Sequence, residues 1–250
     1  MDTRLTRVQN VRDSRAGSNW EEQAMSEKTR VAVILSGCGV FDGAEIHESV
    51  LTLLALNQEG AAVQCFAPNV NQFRVMNHLT QETVEEQRNV LVESARIARG
   101  DIKDVANASA DDFDAVILPG GYGAALNLSN YGVAGADMKV EETTMNFLKA
   151  MARANKPLGA LCIAPPILAK LQQELGSETA PALTVGASDG PDGGNLTALG
   201  ANAMACDATE IVVDETNRIV TNPAYMCETD LTQLAEGIGN AVSALLRLAR

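Results

Sequence analysis

Short, continuous apolar runs alternate along the chain with longer stretches in which apolar residues recur every three to four positions. "VAVILS", from residue 31, is a β-branched run with no polar side, the pattern of a strand buried on both faces of a parallel sheet. After a glycine-rich turn, Ile46, Val50, Leu53, Leu54 and Leu56 return at helical spacing and lead to Gly60, a suitable stop. "AAVQCFAP" predicts the next strand, residues 69 to 83 carry no clear period and predict a loop, and Val90, Leu91, Ala95 and Ile97 predict a second helix. "FDAVILPGG" is a third strong strand, Val140, Met145, Leu148 and Met151 mark another helix, and "KPLGAL" is a fourth strand. Near the end, "TEIVVDETNRIVTN" predicts a hairpin turning at Glu215 to Asn217, followed by a helix from about Asp230 to Leu248.

Alternation of strand and helix predicts a mostly parallel sheet covered by helices on both faces, closed by a small C-terminal hairpin. Residues 1–29 show mixed charge and no apolar period, and are expected to be a disordered extension before a single domain over 30–250. Arg4, Arg7, Arg12 and Arg15 give this extension some likeness to a transit peptide, but Asp2, Asp13, Glu21 and Glu22 oppose it, because transit peptides are acid-poor. With no apolar window of about 18 residues or more for a membrane span, the expected location is the cytoplasm.

Charge removes one class of partner. The formal net charge is −13, whereas nucleic-acid binding needs clustered Lys and Arg. Cysteine usage removes others: Cys38, Cys65, Cys162, Cys206 and Cys227 form no C-x-x-C pair, and the chain has only 2 histidines. Neither a disulfide framework nor a metal site is expected.

Ligands of such sheets gather at the C-terminal ends of the strands, which brings forward three loops: Gly37 to Gly43, Pro119 to Gly123, and the turn at Cys162. The first is spaced G-x-G-x-x-x-G and the second strand ends in Ala67 and Pro68, so the dinucleotide fingerprint is not met. The third is more specific. Gly159, Ala160 and Ala164 are small where a strand bends sharply into a helix, the geometry of a nucleophile elbow, and Pro165 and Pro166 suit the first helical turn. A thiol there faces a helix N-terminus, which favours thiolate; as readily, Cys162 is a small packed side chain. Gly120 and Gly121 favour the chemical reading, since backbone N–H groups at that strand end can turn toward an oxygen near the thiol. His47 and His78 both precede Cys162, so the downstream histidine of an amidotransferase triad is absent. The remaining bases are acidic: Glu45 and Glu48, three apart on the first turns of one helix.

Taken in order, "VILSGCGVFDGAEIHESVLTLLAL", "CFAPN", "NHLT", "RNVLVESARIARG", "VILPGGYGAALNLSN", "KPLGALCIAP" and "IVTNPAYM" resemble the ElbB group, amidotransferase-like proteins associated with isoprenoid biosynthesis. That group lies within the PfpI-type, class I glutamine amidotransferase-like superfamily, and the likeness runs from Val31 to the C-terminus. It implies a flavodoxin-like three-layer α/β/α sandwich, Cys162 as nucleophile and Glu48 as its acidic partner, with backbone N–H groups of Gly121 and Ile163 near the sulfur. Cys38, Glu45 and His47 are the side chains expected around that pair, Glu45 as a solvated first-turn acid and Cys38 as a resolving thiol or a plain loop residue. The implied activity is a cofactor-independent, glutathione-independent glyoxalase acting on a small dicarbonyl, glyoxal or methylglyoxal, in a homodimer. A thiol-based redox or carbonyl-stress sensor, or an accessory protein of isoprenoid metabolism, is the alternative.

Overall fold

The computed structural model describes residues 28–250, so the expected N-terminal extension, up to residue 27, lies outside the described residues. In chain order the elements are β1 (Arg30–Ile34), α1 (Ile46–Gln58), β2 (Ala62–Ala67), β3 (Met76–Asn77), β4 (Glu82–Thr83), α2 (Val90–Ile97), β5 (Ile102–Asp104) and β6 (Ala115–Leu118). There follow α3 (Tyr122–Leu126), α4 (Tyr131–Ala134), α5 (Glu142–Arg153), β7 (Leu158–Leu161), α6 (Pro165–Leu175), β8 (Ala182–Leu183), α7 (Pro191–Ala198), β9 (Asn202–Ala203), β10 (Val212–Asp214), β11 (Ile219–Asn222) and α8 (Leu231–Ala249).

The main sheet is 7-stranded, in the order β10-β11-β7-β6-β1-β2-β5. Every neighbouring pair is parallel except β10 with β11. This is a three-layer α/β/α sandwich of the flavodoxin-like kind, with the C-terminal hairpin on one edge. Along β1 the side chains divide by alternation: Ala32 and Ile34 enter one core with Phe66, Phe113 and Phe147, while Val31, Val33 and Leu35 enter the other with Leu234, Ile238 and Leu245 of α8. All of these β1 residues are fully buried, which is why the strand reads as a continuous apolar run.

One expectation is revised, and two elements carried none. Residues 69 to 83 contain the antiparallel pair β3 and β4, whose strands are two residues long and mostly exposed, too short to leave an alternating pattern. The edge strand β5 contributes a single apolar residue, Ile102. Helix α7, "PDGGNLTA", reads as a loop by composition; it forms because Pro191 suits a first helical turn and Leu196 is buried in the core.

Phe66, Phe113 and Phe147 pack with ring centroids 5.4, 6.1 and 6.2 Å apart, two of the pairs edge-on. Phe147→Ala is expected to lower unfolding free energy by about 3–5 kcal/mol, read by urea denaturation at unchanged m-value; a loss below about 1 kcal/mol would contradict this core assignment.

Candidate active site

From β1 the chain moves outward to β2 and β5, then returns to the other side of β1 to build β6, β7 and β11. The reversal leaves a crevice between the C-terminal ends of β1 and β6, where ligands of open α/β sheets bind. Backbone hydrogen bonds stitch the loops at this end together. Glu45 N–H donates to Gly120 O at 3.0 Å, Gly123 N–H to Gly43 O at 2.8 Å, Tyr122 N–H to Val40 O at 2.8 Å, and Cys162 N–H to Asn222 O at 2.9 Å.

Cys162 occupies the turn between β7 and α6 with φ +57°, a left-handed conformation that an L-residue adopts at a cost of order 1 kcal/mol or more. The surrounding structure holds it there, and the thiol is buried yet lines a cavity of about 510 Å³. Burial, and then the neighbouring Glu48 charge, push the thiol well above its ordinary pKa; the N–H groups of Gly121 and Ile163 pull the other way without reversing it. The thiolate favoured by the helix N-terminus alone is therefore corrected to a resident thiol.

Glu48 lies on α1 behind the cysteine and is completely buried. Its Oε2 accepts the Gly120 N–H at 2.8 Å. Its Oε1 is buried with no well-aligned donor, although the Cys162 thiol lies against the carboxyl. Burial, reinforced by the charge of Glu45, raises Glu48 to about 7. Only glycine fits at position 120: a Cβ there would stand 2.4 Å from the Cys162 Cβ and 2.8 Å from Glu48 Oε2. Gly121 adopts φ +90°, and a Cβ on it would come 2.4 Å from Glu45 N.

The structure thus brings Cys162, Glu48, Gly121 and Ile163 together, and the other expected residues fall in different places. Glu45 is not a solvated acid: it is a buried N-cap whose carboxylate accepts the Glu48 N–H at 2.7 Å, and it lines the cavity. His47 is exposed and pairs through Nδ1 with the Tyr225 hydroxyl at 2.8 Å, so it borders the cavity only through Tyr225. Cys38 is absent from the cavity lining and has Glu93, Arg96 and Asp42 as its charged neighbours, so the structure does not bring this proposed resolving thiol to the site.

Several lining residues carried no sequence signal of a site. Tyr225 and Met226 come from the turn after β11, and Tyr131, Asp192 and Asn195 form a hydrogen-bonded group in the same lining. The Tyr131 hydroxyl donates to Asp192 Oδ1, and Asn195 Nδ2 donates to the Tyr131 oxygen at 3.2 Å. Among the described residues no group of three or more His, Cys, Asp or Glu side chains is arranged to hold a metal ion, and no helix is long and apolar enough to cross a membrane.

Comparison with known proteins places this geometry in context. The DJ-1/PfpI family pattern matches residues 29–180. A human protein named glutamine amidotransferase-like class 1 domain-containing protein 3, mitochondrial, is 46% identical over 230 residues, spanning 88% of this chain and 83% of its own length. Among solved structures, an isoprenoid biosynthesis protein with an amidotransferase-like domain from Ehrlichia chaffeensis superposes with TM-score 0.82 at 36% identity, over 89% of this chain and 100% of the other. Glyoxalase III of Candida albicans shares the fold at TM-score 0.55 and 16% identity, over 87% of this chain and 97% of its own.

Ionisation of Glu48 carries a stability consequence whose sign is fixed. Its folded-state pKa of about 7 lies above the ordinary 4.5, so the native state binds the proton more tightly, and that stabilisation is complete below about 4.5 and is lost as pH rises through 7. Glu48→Gln cannot ionise. Relative to wild type it is expected to gain stability between pH 5 and pH 8, by on the order of 1–3 kcal/mol, read from thermal melts across that range. A difference between the two proteins that stays constant with pH would overturn the assignment.

Proposed function

The chain belongs to the DJ-1/PfpI family, and from that premise and the geometry of the cavity we propose that it is a cofactor-independent glyoxalase converting glyoxal or methylglyoxal to the 2-hydroxy acid. The observation that carries this reading is the pairing of a cavity-lining thiol with a buried carboxyl raised to about 7, one of whose oxygens is pinned by Gly120 and the other free of any well-aligned donor. A carboxyl poised near neutral pH serves equally as proton acceptor and donor.

In the proposed cycle Glu48 takes the thiol proton as the Cys162 sulfur bonds to the aldehyde carbon and passes that proton to the carbonyl oxygen, which gives a hemithioacetal and leaves Glu48 ionised. N–H groups of Gly121 and Ile163 steady the oxyanion as it forms. Glu48 then removes the proton from the former aldehyde carbon, giving an enediol, and returns it to the adjacent carbon. The product is a thioester of a 2-hydroxy acid; water cleaves the carbon–sulfur bond, releasing the acid and restoring the thiol. Atoms balance as dicarbonyl plus water, with no external oxidant or reductant.

A sensor role fits less well, because reversible peroxide sensing needs a low-pKa thiol and this one is pushed up. The accessory role in isoprenoid metabolism is the competing reading, and it entails no turnover. Repair of glycated groups would use the same thiol chemistry. We further propose a homodimer, for which exposed Ile46, Val50 and Leu54 along one side of α1 offer an apolar face, and a cytoplasmic location, although the human relative's name carries the word mitochondrial.

Steady-state kinetics on glyoxal test the proposal. Cys162→Ala is expected to abolish turnover, and Glu48→Gln to lower kcat by about 10²–10⁴-fold, the range for loss of a general acid–base group. Wild-type turnover no faster than that of an equal concentration of free thiol would defeat the enzyme reading.

A further inference from the structure

Tyr131, Asp192 and Asn195 line the same cavity as Cys162 and have no task in the cycle just described, and the hydrogen bonds of this wall define what it can accept. Tyr131 is buried; its hydroxyl proton is committed to Asp192 Oδ1, and its oxygen receives Asn195 Nδ2. Among the described residues nothing donates to Asp192 Oδ2 or to Asn195 Oδ1, so beside the second N–H of Asn195 Nδ2 these residues offer two unused acceptors. Burial and the neighbouring carboxylate push the phenol's pKa up, which keeps Tyr131 a donor. A row of acceptors selects ligands that bring donors, and hydroxyl groups are the neutral donors that suit a carboxylate beside an amide oxygen.

Charge and size narrow the ligand further. Glu45 and Asp192 give the cavity two carboxyl groups, and among its described lining residues none is Lys or Arg. Arg74 reaches this region by lying over the Tyr122 ring at 5.6 Å, with its guanidinium held by the Phe41 carbonyl. A phosphorylated or carboxylated aldehyde would meet the two carboxyl groups with no Lys or Arg in the lining to offset them. The volume, about 510 Å³, falls in the range that holds drug-sized ligands, so glyoxal or methylglyoxal would fill a small part of it and leave the far wall to water.

We propose that Tyr131, Asp192 and Asn195 form a hydroxyl-recognising wall, and that the preferred substrate is a neutral, polyhydroxylated 2-oxoaldehyde of the kind derived from sugars, its aldehyde at Cys162 and its distal hydroxyls on Asp192 and Asn195. The proposal rests on the glyoxalase reading for the reacting end and is independent of it for the far end. As a first-turn residue of α7, Asp192 would be favoured by the helix dipole alone. That effect leaves unexplained why Asp192 is bonded to a buried tyrosine and faces the same cavity as the thiol.

The test compares 3-deoxyglucosone, a neutral hexose-derived 2-oxoaldehyde, with methylglyoxal on the full chain. Wild type is expected to show kcat/KM about tenfold or more in favour of 3-deoxyglucosone. Asp192→Asn and Asn195→Ala should each lower the ratio of the two kcat/KM values by about tenfold, mainly through KM for the larger substrate, because unmatched hydroxyls then lose their acceptors. Melting curves confirm that the variants fold. Binding is read separately by calorimetry of 3-deoxyglucosone on Cys162→Ala protein, with and without Asp192→Asn. Saturable binding that Asp192→Asn abolishes, with no turnover of any dicarbonyl in wild type, would sink the glyoxalase reading and leave this wall assignment standing. Equal kcat/KM for the two dicarbonyls, a ratio unmoved by both variants, or no binding to Cys162→Ala protein would overturn the wall assignment.

Discussion

One hydrogen bond, from the Gly120 N–H to the Glu48 carboxyl at 2.8 Å, ties the helix that follows β1 to the loop that follows β6, and the site is assembled around it. The carboxyl is driven into a fully buried position against Cys162, where ionisation is opposed by desolvation. The thiol in turn is held in a left-handed turn that the adjoining strand and helix impose. Burial raises both groups first; the charge of Glu45 adds to the shift of Glu48, and the charge of Glu48 adds to that of Cys162. They therefore titrate as a coupled pair that holds one proton once Glu48 ionises near 7. That shared proton is the chemical resource of the site, and it exists because three loops meet at the switch point of the sheet.

The architecture was legible where burial leaves a strong pattern. "VAVILS" and "FDAVILPGG" read correctly as strands, the first as one buried on both faces, because their neighbours in the sheet are parallel and helices cover both sides. The same logic explains the misses. Helix α7 has two adjacent glycines, Gly193 and Gly194, and its contact with the rest of the fold comes through Leu196, buried in the core. The pair β3 and β4, and the edge strand β5, bury too little apolar surface to impose a period.

At the site, the elbow was legible because small residues must flank a sharp strand-to-helix bend, and Glu48 was legible through its place in "GAEIHE". The direction of the thiol's shift was not. Helix position alone favours a thiolate at Cys162, and only the three-dimensional structure shows that burial and Glu48 outweigh the N–H groups of Gly121 and Ile163. Glu45 was misread for a related reason: as the N-cap it turns inward to hold the Glu48 N–H, which first-turn spacing does not distinguish from an outward acid. The far wall was invisible, since Tyr131, Asp192 and Asn195 come from α4 and α7 and meet through packing that no local pattern encodes.

The claim at the centre of this account is that Glu48 and Cys162 hold one proton between them. It is tested most directly by the pH dependence of Cys162 alkylation with iodoacetamide, followed at that residue by peptide mass spectrometry, in wild type and Glu48→Gln. The account predicts a wild-type midpoint above the roughly 8.5 of a free cysteine, and a lower midpoint in Glu48→Gln, where the buried negative charge is gone. A wild-type midpoint below that of free cysteine, or superimposable curves in the two proteins, would contradict it.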